Sequence, residues 1–89
     1  MAERMSGDVH MIMVKATSTI SIASGIVYLT PKQYFVRSHN LVEVDPKKGL
    51  YAVATPIFFK AGEVFGVQKL DRYLEMNTVK HVVPVAKNQ

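Results

Sequence analysis

Reactive side chains are few and scattered in this sequence. Cysteine is absent, which excludes thiolate metal sites, thiol catalysis and disulfides. The three histidines, His10, His39 and His81, stand far apart with no i, i+4 spacing. A zinc site needs three or four converging N, S or O ligands, so no metal site is expected. Glu63, Asp71 and Glu75 are the nearest set among the acids. Asp71 and Glu75 fall i, i+4 on a predicted helix, which reads as a solvated face. Ser18, Ser21, Ser24 and Ser38 lack a nucleophile-elbow context. Gly7, Gly25, Gly49, Gly62 and Gly66 form no phosphate-cradling pattern. No catalytic residue, metal ligand or cofactor is expected, and the chain reads as a non-enzyme.

The aromatic residues carry more. Tyr28, Tyr34, Phe35, Tyr51, Phe58, Phe59, Phe65 and Tyr73 are many for a chain of 89 residues, whose core must be thin. Phe58-Phe59 is the sharpest feature, because neighbouring side chains of a strand point to opposite faces. One Phe in the core sends the other outward, unless both sides of the sheet are covered. An outward aromatic suits a protein interface or base stacking. The expected interface residues are Phe58, Phe59, Lys60, Glu63 and Tyr51. Charged residues make up only 20% and hydrophobic ones 48%, so much of the surface is neutral or apolar. Contiguous apolar surface marks association, and a homo-oligomer or a stable partner is expected.

Eleven Lys+Arg against seven Asp+Glu leave a net charge of +4. Nucleic-acid binding is the alternative this charge supports. The cations are spread evenly along the chain, and Lys47-Lys48 is the only adjacent pair. Counterion release requires several cations on one face, so ordinary solubilising charge fits better. The longest apolar stretch, Leu50 to Phe59, is broken by Thr55 and Pro56 and falls short of the ~20 residues of a membrane span. No membrane partner is expected.

The elements that must position these residues are punctuated by Gly and Pro. Strands are expected at Met11–Val14, Ser18–Ala23, Ile26–Leu29, Leu41–Val44, Leu50–Ala54, Ile57–Phe59, Glu63–Val67 and Val79–Val85. Thr30-Pro31-Lys32-Gln33 is a capping box with Pro at N1, opening a helix from about Pro31 to His39. Asn40 is placed to stop it with a left-handed cap. Residues 68–76 put Leu70, Tyr73 and Leu74 on one helix face, ending at Asn77. Asp45 to Gly49 reads as a turn or short linker. Residues 1–10 read as a flexible arm without the apolar stretch of a secretory leader, and Ala86 to Gln89 as a polar tail.

The two halves read alike. A shift of 37 residues superposes Ile20 on Ile57, Gly25 on Gly62, Val27 on Val64, Lys32 on Lys69, Asn40 on Asn77 and Val42 on Val79. The expectation is an α+β, mostly β protein, barrel-like or of two sheets. Residues 11–89 would form one globular domain from a duplicated strand-strand-strand-helix-strand unit, with halves at 11–46 and 50–85. One such unit does not bury its own face, so two would share a core.

The stretch Lys47 to Val67 resembles small uncharacterised structural or assembly proteins of tailed phages and Mu-like prophages. The matching features are a Tyr-x-Val-x-x-Pro strand (Tyr51, Val53, Pro56) and a Phe-Lys-x-Gly-Glu turn (Phe59, Lys60, Gly62, Glu63). Upstream, Arg37, His39 and Leu41 fit the same pattern. The resemblance implies a virion or assembly component that binds capsid or connector subunits such as the major capsid protein. Its most specific form is a capsid decoration or cementing protein, found in the virion and, during assembly, in the host cytoplasm. It brings no catalytic residues. A phage-made inhibitor of a host enzyme is a further reading.

Overall fold

In the computed structural model, residues 10–81 are described. The expected arm at 1–10 falls outside them except for His10, and the end of the last strand and the polar tail fall outside entirely. The chain runs β1 (Ile12–Ala16), β2 (Ile20–Ile22), β3 (Ile26–Tyr28), α1 (Pro31–Phe35), β4 (Leu41–Asp45), β5 (Leu50–Val53), β6 (Ile57–Phe59), β7 (Val64–Val67), α2 (Arg72–Asn77) and β8 (Thr78–Lys80). It is mostly β with two short helices, as the α+β reading requires.

The strands form two sheets. Six lie in the order β4-β5-β3-β7-β1-β8, all neighbours antiparallel, and β2 pairs with β6 in a separate ribbon. Barrel closure, one of the two expected arrangements, does not occur. β4 and β8 end the sheet on opposite sides, and neither bonds to a further strand among the described residues. The strands are three to five residues long, and β2 and β6, of three residues each, pair with one another and with no strand of the larger sheet.

The core lies between the layers. One face of the six-stranded sheet contributes Val14, Ala16, Val27, Tyr51, Phe65 and Val67, and the ribbon contributes Ile20, Ile57 and Phe59, all buried. The Phe59 and Phe65 rings stack across the layers at 3.9 Å between centroids. Tyr34 of α1 stacks on Tyr51 at 4.3 Å, and Leu74 of α2 joins the same cluster.

Both helices are shorter than the sequence pattern suggests. α1 opens with the expected capping box, Thr30 accepting from Gln33 N–H while the Gln33 side chain reaches back. It closes after Phe35, and a separate 3-10 turn spans Ser38–Asn40. Asn40 acts by other means than a cap: its amide donates to the Pro56 carbonyl, and its own carbonyl accepts from Ala54 N–H at 2.9 Å. α2 starts at Arg72, four residues late. Asp71, read from the sequence as part of a solvated helix face, is its N-cap and accepts from Leu74 N–H at 2.8 Å.

Candidate functional site

The best-connected polar group is a clasp between α1 and the turn joining β6 to β7. Arg37 donates to both oxygens of Glu63, at 3.0 and 2.9 Å. It also donates to the carbonyls of Phe58 (3.0 and 2.8 Å) and Gln33 (3.0 Å). Its guanidinium lies 4.5 Å from the centre of the Phe59 ring. Glu63 accepts further bonds from the Lys60 N–H and the Gln33 amide. Partial burial pushes the Glu63 carboxyl up. The Lys60 amide, the Gln33 side chain and the Arg37 guanidinium outweigh that and hold it below the usual carboxylate range. Every polar atom of the clasp faces another part of the chain, so its chemistry is structural. Glu63 is therefore not the exposed edge charge its place after Gly62 suggests.

Of the five expected interface residues, the structure turns two outward. Phe58 is 61% exposed, while Phe59 and Tyr51 are buried. The alternation argument holds for the Phe pair. Tyr51 fails as a surface residue because its register opposite Val27 and Glu43 puts it on the core face. Lys60 is exposed in the turn, with its backbone N–H given to Glu63. Phe35 and Val36 by α1, and Met76 of α2, are exposed as well.

Each long side of the ribbon has a backbone group bonded to a side chain. The Ser21 N–H donates to the Tyr73 hydroxyl, and the Phe58 carbonyl, opposite Ser21, accepts from Arg37. A cleft of about 590 Å³ opens beside β2, between Ser21–Val27 and the segment leading into α2. Two of its polar side chains are engaged within the chain: the Asp71 carboxylate caps α2, and the Tyr73 hydroxyl accepts from the Ser21 N–H. A second hollow of about 420 Å³ lies by Tyr28, Pro46, Lys47 and Lys48. Among the described residues, no three His, Asp or Glu side chains come together as a metal site would require.

The surface that stands out is the outer face of the six-stranded sheet. Cross-strand pairing runs a row Met13–Gly66–Tyr28–Leu50–Asp45 across five strands. It is flanked by Val79–Lys15–Val64 on one side and Ile26–Ala52–Val42 on the other. Lys15 and Asp45 are the only charges among these eleven residues. Tyr28, Val42 and Val79 are 36, 57 and 52% exposed. A solvated antiparallel face ordinarily alternates to polar residues. Here Tyr28 and Met13 lean together over Gly66, where an added Cβ would stand 2.8 Å from the Tyr28 Cβ and 3.0 Å from the Met13 Sδ.

Sequence reading missed this face. A signal was present: Leu50 to Ala54 is apolar at five consecutive positions, as a strand covered on both sides would be. No protein-family model, curated protein or solved structure matches the chain.

Proposed function

We propose that the chain is a non-enzymatic virion structural or assembly protein that binds other proteins through the outer face of its six-stranded sheet. A capsid decoration or cementing protein is the most specific form. The observation that carries the binding role is that face, where Tyr28, Val42 and Val79 are exposed among largely apolar neighbours and Lys15 and Asp45 are the two charges, while Leu50 and Gly66 in its central row are buried. The phage context comes from the resemblance of Lys47 to Val67. The test is co-sedimentation with purified heads of the phage that encodes it. Heads should carry the wild-type chain down and leave a Tyr28→Glu, Val42→Lys variant in solution, with both proteins folded by circular dichroism. Heads that ignore the wild-type chain would refute the reading.

A small basic nucleic-acid module is the competing reading, favoured by Lys47 and Lys48 beside the partly exposed Tyr28. It predicts retention on DNA or RNA that collapses between low and moderate salt. An apolar protein contact would scarcely respond.

The duplicated unit belongs to the same proposal. Gly25 and Gly62, 37 residues apart, both sit at φ +96°. The carbonyls of Asn40 and Asn77 accept at 2.9 Å from Ala54 and Thr17, themselves 37 apart. The ladders Lys15↔Val79 and Val42↔Ala52 coincide under the same shift. Exchanging β1 with β5, β3 with β7 and β4 with β8 leaves the strand order unchanged, and Ser21–Phe58 lies at the centre of the exchange. The helices break the pattern, since their N-caps, Thr30 and Asp71, are 41 residues apart.

A further inference from the structure

The six-stranded sheet ends in two strands of opposite charge. β4 carries Glu43 and Asp45, and β8 carries Lys80 with His81 next to it. We propose that β8 of one copy adds to β4 of the next, extending the antiparallel sheet head to tail with Lys80 opposite Glu43. This deepens the reading above by naming one contact of the oligomer it expects, and it is independent of what the outer face binds.

Strand direction permits the addition. All neighbours in the sheet are antiparallel and six is an even number, so β4 and β8 run opposite ways. A second copy in the same orientation therefore continues the alternation without a break. The phase of the backbone also agrees. Val53 N–H bonds to Gly25, so Ala52 turns its groups toward Val42, and the N–H and C=O of Glu43 face away from β5. On the other edge His81 N–H bonds to Met13, which leaves those of Lys80 facing away from β1. Two residues whose groups both face the gap form the doubly bonded pair of an antiparallel ladder. Glu43 and Lys80 satisfy that condition. Their side chains also share a sheet face, since Glu43 pairs with Tyr51 and Lys80 with Val14, both on the core side. The register shift between Glu43 and Asp45 keeps the added ladder short.

Charge selects this pairing over its rivals. Joining β4 to β4 sets Glu43 against its own copy or against Asp45 of that copy, and joining β8 to β8 sets Lys80 against itself. Like charges directly opposite destabilise a strand pair. A β4–β8 contact uses two different patches, so nothing in it stops growth at two copies.

Sedimentation velocity on the full chain over a range of concentrations is the test. Wild type should form species beyond the dimer. Glu43→Lys alone and Lys80→Glu alone should each associate about tenfold more weakly. The double variant, and an equimolar mixture of the two singles, should recover the wild-type masses, because each restores an opposite-charge pair. Both side chains are exposed, and circular dichroism confirms folding. A wild-type chain that stays monomeric, growth that stops at the dimer, or single variants indistinguishable from wild type would overturn the proposal. Head co-sedimentation of the same variants separates this outcome from failure of the binding reading: the charge variants keep the outer face intact and should still bind heads.

Discussion

Replacing Arg37 with Met tests the clasp, because Met keeps the packing stem and removes the charge. The substitution strips Glu63 of its ion-pair partner and leaves the Gln33 and Phe58 carbonyls without their side-chain donor. A charge-assisted hydrogen bond contributes about 1.5–3 kcal/mol when its partner is left unsatisfied. The Arg37 side chain is 11% exposed and that of Glu63 26%, so water reclaims part of the loss, and the Phe58 carbonyl lies where water reaches it. About 2 kcal/mol is expected. A domain of this size has about 5–13 kcal/mol in total, so Tm should fall by about 10 °C. Glu63→Gln should cost about 1 kcal/mol, and a double-mutant cycle on the two should show coupling of about 1 kcal/mol. The acid limb adds an independent check. The folded Glu63 carboxyl titrates below its ordinary value of 4.5. Its contribution is therefore complete above that value and lost as the pH falls through the lower, folded one. The stability gap between wild type and Glu63→Gln should close over that acid window. Urea unfolding followed by circular dichroism measures all of this. An Arg37→Met loss under about 0.5 kcal/mol, or a cycle with no coupling, would refute the account of the clasp.

The Phe pair and Gly66 supply two further expectations. Phe58→Asp should leave stability nearly unchanged, since the ring is mostly in solvent, whereas Phe59→Ala should cost about 3–5 kcal/mol through the cavity left against Phe65; equal losses in thermal melts would contradict the layering. Gly66→Ala should cost about 1–3 kcal/mol, because the new methyl meets Tyr28 and Met13 at or under 3.0 Å, and a neutral result in urea unfolding would show that the row across the outer face repacks freely.

Punctuation made most of the fold legible in advance. Gly25, Gly49 and Gly62 each occupy a positive φ at a turn, and the strands between them fall close to their expected bounds. The Thr30–Gln33 capping box needs only local contacts and forms as read. The reach of the first helix depends on distant contacts. The helix from Pro31 was expected to reach His39, but Arg37 is drawn to Glu63 and Phe58, 26 and 21 residues away. The helix expected to begin at 68 begins at 72, because the Asp71 carboxylate takes the Leu74 N–H. Periodicity marks an apolar face and is silent on which side chain caps it. Tyr51 illustrates the limit for the site: every residue from Leu50 to Ala54 is apolar, so only the pairing register decides which of them face inward.

The Tyr73 hydroxyl on one side of the ribbon and the Arg37 guanidinium on the other act as stoppers. With a backbone group engaged on each flank, the small layer offers a foreign strand less than the open edges of the larger one, through which the proposed accretion runs. A polymer of this protein would thus lengthen along a single axis, every unit holding its ribbon to the same flank, and the filament or ring so made would be two-faced.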